Sequence, residues 1–141
     1  MKSLRGIVRI ALGLLLVIAG VLKAGSGEAM AETIANYRLL SAPAAQILAV
    51  TLPWIEMVAG LLLVLGLWTR AAAGLSAGML GAFGVAVLSA LLRGLDISCG
   101  CFGSSTAARV GFGALGIDVL GVAGAVFLTR TAPVEDQDSV R

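Results

Sequence analysis

The sequence predicts an all-α integral membrane protein: a four-helix bundle with one short helix at the membrane surface. Three observations predict this class. Of the 141 residues, 59% are hydrophobic and only 13% are charged, and the mean hydropathy is +1.02. Water-soluble domains carry roughly 25% charged residues. A soluble domain, a disordered chain, a nucleic-acid-binding protein and a disulfide-rich secreted scaffold are therefore excluded, because each needs more charge or more cysteine.

Four charge-poor runs are long enough to cross a bilayer, which takes about 20 mostly apolar residues. They cover about residues 6–22, 43–69, 71–92 and 110–129, and none contains more than one charged residue. Lipid offers the backbone no hydrogen bonds, so runs of this length form helices. Residues 1–130 are thus expected to form a single four-span domain, and the acidic residues 131–141 a disordered cytoplasmic tail.

The first run has a second interpretation. Basic residues in 1–9 precede a 13-residue apolar stretch, Ile10–Leu22, a pattern that is also typical of a signal peptide. Lys23 directly follows the apolar stretch. This charge at the expected cleavage region favours a retained membrane span.

Between the first two spans, residues 28–40 carry Met30, Ile34 and Tyr37 at helical spacing. They predict a short helix on the membrane surface, with Tyr37 as an interface anchor. Glycines in the last two spans recur at intervals typical of closely packed membrane helices. These are Gly74 and Gly78 in the third span and Gly116, Gly121 and Gly124 in the fourth.

Loop cations predict the orientation. Six cations fall on the side of the two termini (Lys2, Arg5, Arg9, Arg70, Arg130 and Arg141) and four on the other (Lys23, Arg38, Arg93 and Arg109). The excess of positive charge on cytoplasmic loops places both termini inside. The connection between the third and fourth spans is then extracytoplasmic, where disulfides persist.

That connection contains the two cysteines of the chain, Cys99 and Cys101, separated by Gly100. A disulfide between residues i and i+2 needs a bent backbone, which glycine permits. Strained, exposed disulfides exchange readily, so the pair favours redox chemistry. Two alternatives remain open: capture of a soft ion such as mercury(II) or copper(I), and a passive pair. Zinc is disfavoured because the chain has no histidine.

Two carboxylates, Glu56 and Asp118, fall inside predicted spans. A charge at this depth costs at least ~2.5–3.5 kcal/mol, so each should face the bundle interior and find a partner or stay protonated. Lys23 and Arg38 are the candidate partners of Glu56. A structural ion pair and a proton relay are both compatible with these residues.

Several segments together resemble the methylamine-utilisation protein MauE family, within the DoxX-like membrane proteins. They are residues 35–40, residues 52–56 with Gly60 following, and Cys99-Gly100-Cys101-Phe102-Gly103. The resemblance covers about residues 5–130. It implies a four-span bundle in the bacterial cytoplasmic membrane, similar in outline to DsbB and vitamin K epoxide reductase. It also implies a role in forming or relaying disulfides outside the cytoplasm, with a thioredoxin-like partner and a client such as the methylamine dehydrogenase small subunit.

By matching position, the resemblance makes Cys99 and Cys101 the redox pair. Gly100, Phe102, Glu56, Arg38 and Lys23 transfer as supporting residues. DsbB-like enzymes carry a second cysteine pair and pass electrons to quinone, whereas this chain has one pair. The expected function is therefore a membrane thiol–disulfide oxidoreductase with quinone as the candidate cofactor. The alternatives are a soft-metal carrier and a non-catalytic scaffold subunit of a redox complex.

Overall fold

The computed structural model describes residues 2–97 and 111–132, and this part of the chain folds into five α-helices. The helices are α1 (Lys2–Ala24), α2 (Gly27–Asn36), α3 (Ala42–Leu65), α4 (Thr69–Leu92) and α5 (Phe112–Thr131). Four of them, α1, α3, α4 and α5, are long and apolar enough to cross a membrane. The all-α, four-span class is confirmed.

The turn between α3 and α4 comes earlier than hydropathy predicts. The second span was expected to run to residue 69, but α3 ends at Leu65 because Gly66 adopts a left-handed conformation with φ +78°. The N–H of Gly66 donates to the Leu63 carbonyl oxygen, and the N–H of Leu67 donates to the Leu62 carbonyl oxygen. This is the usual glycine termination of a helix. Hydropathy misses it because the residues after Gly66 stay apolar.

The surface helix is shorter than predicted. It was expected over residues 28–40, but α2 ends at Asn36. Arg38 has φ 53°, a left-handed conformation that a helix of L-residues cannot contain. Tyr37 is only 5% exposed, so its prediction as an interface anchor is wrong. The phenol ring packs against the protein instead, in a cluster with Val87 and Ala90 of α4.

The four spans pack chiefly as two pairs, α1 with α3 and α4 with α5. Both pairs are antiparallel. A shared core forms where the pairs meet, and it consists mainly of Leu12, Leu16, Leu63, Leu80 and Leu128. Helices α3 and α4 follow one another in sequence but contact each other less, and an apolar groove of about 610 Å³ lies between them.

The closest approach between helices is at Gly13 of α1 and Gly60 of α3. A Cβ atom added to Gly60 would lie 2.6 Å from the Gly13 carbonyl oxygen, and one added to Gly13 would lie 2.8 Å from that of Gly60. Real Cβ atoms do not come so near to backbone. In lipid, helix association depends on such close van der Waals packing.

Of the glycines singled out from sequence, only Gly121 would bring an added Cβ closer than 3.0 Å to a neighbour, and the atom it meets, at 2.7 Å, belongs to the Leu80 side chain rather than to backbone. A Cβ on Gly78 or Gly116 would meet nothing within 4 Å, and one on Gly74 only the Thr129 side chain at 4.0 Å. A Cβ on Gly121 would touch the flexible end of Leu80, and one on Gly124 would make a 3.4 Å contact with Val8. The interval of glycines alone does not reveal which face of a helix meets a neighbour.

We expect Gly60→Ala to destabilise the protein by about 1–3 kcal/mol, because the new methyl group forces α1 and α3 apart. The matched control is Gly78→Ala in α4, where the methyl group has open space. Thermal unfolding in detergent measures both. Equal stability of the two variants would contradict the close contact.

Candidate functional site

A salt bridge lies inside the bundle, between Lys23 of α1 and Glu56 of α3. The Lys23 Nζ donates to Glu56 Oε1 at 2.5 Å. Lys23 is 2% exposed and Glu56 3%. Antiparallel packing brings them together: Gly20 of α1 lies against Pro53 and Met57 of α3, so Lys23, about one turn beyond Gly20, can reach Glu56, the residue before Met57.

The same ammonium group contacts α4 and shares a cavity with a residue of α5. The Lys23 Nζ lies 4.8 Å from the ring centroid of Phe83 on α4, a cation–π distance. Asp118 of α5 lines the same small cavity as Lys23 and Glu56. One cation therefore connects α1, α3, α4 and α5. We call Lys23, Glu56 and Asp118 the buried charge cluster.

The cavity of the buried charge cluster measures about 20 Å³, the size that one water molecule needs. Two carboxylate oxygens in the cluster, Glu56 Oε2 and Asp118 Oδ2, are buried and have no hydrogen-bond partner among the described residues. A water molecule needs two to four polar partners. The two oxygens and the ammonium group supply them.

The charges of the cluster do not balance when all three groups are ionised: two carboxylates face one ammonium. An uncompensated charge is costly in a membrane interior. Binding one proton at a carboxylate removes the excess, since the remaining carboxylate and Lys23 then form a neutral pair. The arrangement can therefore bind and release a proton.

The cluster lies towards the end of the bundle where the cysteine-containing connection begins and ends. Lys23 is the next-to-last residue of α1, and Asp118 is the seventh residue of α5. The connection leaves α4 at Leu92 and reaches α5 at Phe112. Its start is fixed by Arg93, whose guanidinium donates to the Tyr37 carbonyl oxygen.

Tyr37 lies beside the start of this connection. Burial raises the pKa of Tyr37 to about 12, and the negative charge of Asp118 acts in the same direction. The folded protein thus favours the neutral phenol. This contribution to stability is complete below pH about 10, the pKa of an unfolded tyrosine, and is lost as the pH rises towards 12.

We expect alkaline titration to show this directly, because Tyr37 is the one tyrosine of the chain. Phenolate absorbance should appear near pH 12 in the folded protein and near pH 10 after unfolding. Tyr37→Phe supplies the baseline. A folded-state midpoint near 10 would contradict the burial of the ring.

The structure brings together some of the residues predicted from sequence. Lys23 and Glu56 form the expected pair. Arg38, the other candidate partner, is exposed and is not a member of the pair. Asp118 was predicted as a membrane carboxylate, but its place beside Lys23 was not. Phe83 was missed altogether, because an aromatic residue in an apolar run gives no sequence signal of a cation–π contact.

The predicted redox residues Cys99, Gly100, Cys101 and Phe102 lie outside the described residues. Their assignment continues to depend on their spacing in the sequence and on the family resemblance.

The comparisons with known proteins agree with the resemblance seen in the sequence. No curated protein and no solved structure matches the chain. The family model described as methylamine utilisation protein MauE matches residues 1–130. This match covers the four membrane-spanning helices except the last residue of α5, and it includes the buried charge cluster and the cysteine-containing connection. The chain is a multi-pass membrane protein that belongs to the MauE family.

Proposed function

We propose that this protein is a membrane thiol–disulfide oxidoreductase whose Cys99–Cys101 pair exchanges with a thioredoxin-fold protein outside the cytoplasm. The observation that carries the proposal is the Cys-Gly-Cys sequence, which holds both cysteines of a MauE-family chain. Membership of the family suggests a role in methylamine utilisation. Disulfide formation in an extracytoplasmic client of that process is the specific role we propose.

The exchange proceeds through a mixed disulfide. A thiolate of the reduced partner attacks one sulfur of the Cys99–Cys101 disulfide, whose S–S bond breaks as the intermolecular bond forms. The partner's second thiolate then attacks that bond. The partner leaves as a disulfide, and Cys99 and Cys101 end as a dithiol with two electrons and two protons gained. The reverse direction uses the same steps.

The buried charge cluster supports this chemistry through protons. Thiol–disulfide exchange needs thiolates, so protons leave one pair of sulfurs and return to the other. The cluster can bind one proton, and it lies towards the end of the bundle from which the cysteine-containing connection extends. We assign Glu56 and Asp118 to local proton storage, with Lys23 as the group that positions both.

A membrane quinone suits the described part of the protein as electron acceptor. The groove between α3 and α4 has a volume of about 610 Å³, within the range of small-molecule sites. Its lining is apolar and includes Phe83 and Met79, with Tyr37 as a polar group at the α2 side. A bound quinone would supply two-electron, two-proton redox chemistry.

The loop cations support the orientation in this proposal. Both termini lie in the cytoplasm, and the connection between α4 and α5 lies outside. The partner should therefore be an extracytoplasmic protein.

The test is to trap the mixed disulfide. We expect Cys99→Ser or Cys101→Ser to accumulate a covalent adduct in cells, because the remaining thiol is not resolved by its neighbour. Mass spectrometry should identify an extracytoplasmic thioredoxin-fold protein in the adduct. The double variant Cys99→Ser/Cys101→Ser is the control without adduct. Absence of an adduct in both single variants, or an adduct with cytoplasmic proteins, would contradict the proposal.

A further inference from the structure

At the opposite end of the bundle, the start of α1, the start of α4 and the end of α5 enclose a polar cavity of about 220 Å³. Three cationic side chains line it: Lys2, Arg5 and Arg9. No acidic side chain among the described residues contributes to the lining. The cavity therefore has a concentrated positive charge, although the spans contain few charged residues overall.

Two polar groups in this cavity lack partners among the described residues. Thr69 is 3% exposed, and its hydroxyl oxygen makes no hydrogen bond. The Nε of Arg9 is likewise buried without an acceptor. Buried donors of this kind are costly to leave unpaired. Both could donate to the same acceptor placed in the cavity.

The backbone adds further donors. Thr69 is the first residue of α4, a helix of 24 residues. The first N–H groups of a helix have no partner within it, and together with the helix dipole they favour an anion. In α4 the regular backbone hydrogen bonds begin at Ala72, whose N–H donates to the Trp68 carbonyl oxygen.

Contacts with α5 and with the α3–α4 turn hold two of the three cationic side chains, Arg5 and Arg9, in place. The Arg5 Nη1 donates to the Thr131 carbonyl at 3.1 Å. The Arg9 guanidinium lies against Gly66, where a Cβ atom would meet Nη1 at 1.9 Å. The two arginines are therefore positioned by the fold rather than free in solvent, and a positioned guanidinium binds phosphate oxygens well.

We propose that this cavity, formed by Lys2, Arg5, Arg9 and Thr69, is a binding site for a phosphate group. The group belongs either to an anionic phospholipid at the membrane surface or to a free phosphate compound. The cavity lies at the ends of three spanning helices, the depth at which lipid headgroups occur. The site is independent of the redox proposal, because it lies at the other end of the bundle.

The test uses the full chain, purified in detergent, and its thermal stability. Phosphatidylglycerol in mixed micelles should raise the unfolding temperature at concentrations where phosphatidylcholine does not. We expect the apparent affinity to fall roughly tenfold or more in Arg9→Gln and several-fold in Thr69→Val, since each loses a donor to the phosphate. Arg70→Gln, an exposed cation next to Thr69, is the matched control and should bind as the unchanged protein does.

A second arm replaces the lipid with inorganic phosphate. Stabilisation by inorganic phosphate with the same variant pattern would assign the site to free phosphate compounds, and stabilisation by the lipid alone would assign it to headgroups. If Arg9→Gln does not fold, anion binding by Thr69→Val decides whether the proposed site exists. The proposal is overturned if neither anion stabilises the protein. It is also overturned if Thr69→Val binds normally or Arg70→Gln weakens binding equally.

Discussion

Lys23→Met should destabilise the protein by about 3–5 kcal/mol, the usual cost of removing one partner from a buried ion pair. Lys23 contacts Glu56 directly, lies over Phe83 and shares a cavity with Asp118. Its loss leaves two carboxylates in the membrane interior without a cation.

The two acids should behave differently from the lysine. Glu56→Gln leaves Asp118 to balance Lys23, so its cost should be smaller than that of Lys23→Met. The double variant Lys23→Met/Glu56→Gln should recover part of the lost stability, because fewer uncompensated charges remain. Arg70→Met, at an exposed cation of α4, is the control. Thermal unfolding in detergent measures the set, and a Lys23→Met protein as stable as Arg70→Met would contradict the role of the cluster.

The largest expected effect on activity comes from the cysteines. Cys99→Ser and Cys101→Ser should each abolish disulfide exchange with a reduced thioredoxin-fold protein, because serine cannot form the S–S bond on which the exchange depends. Stability should change by less than about 1 kcal/mol, since a bridge across one residue closes too short a loop to restrict the unfolded chain appreciably.

Absorbance or gel-shift assays of the partner's thiols measure this exchange. Gly100→Val separates the redox pair from two unrelated thiols. A β-branched residue resists the bend that bridging requires, so the oxidised form should be strained and easier to reduce. A cysteine variant that retains full exchange, or one that unfolds, would contradict the assignment.

Hydropathy predicted the four spans because each forms a long run with at most one charge. Helix ends were predicted less well, since they depend on the backbone conformation of single residues. The left-handed Gly66 ends α3 before the hydrophobic run stops, and the left-handed Arg38 follows α2 although Tyr37 continues its periodicity. Neither conformation changes the apolar pattern from which the spans were read.

The charge cluster was predicted in part for a similar reason. A carboxylate in a membrane needs a partner, so Glu56 had to pair with a cation, but sequence did not distinguish Lys23 from Arg38. That choice depends on the antiparallel contact of α1 with α3 through Gly13 and Gly60. The available sequence signal of this contact was the seven-residue interval between Gly13 and Gly20 in α1. The place of Asp118 depends on packing between helices that are distant in sequence.

The most direct test of the proposed function is a redox titration of the purified protein in lipid nanodiscs. The protein is equilibrated with glutathione buffers of graded potential, and its free thiols are counted with a maleimide mass tag. We expect Cys99 and Cys101 to change together, from two free thiols to none, in one two-electron transition with a slope of about 30 mV per tenfold change. Two thiols that stay reduced at every potential, as in a soft-metal carrier, or that oxidise only between molecules, would contradict the proposed redox pair.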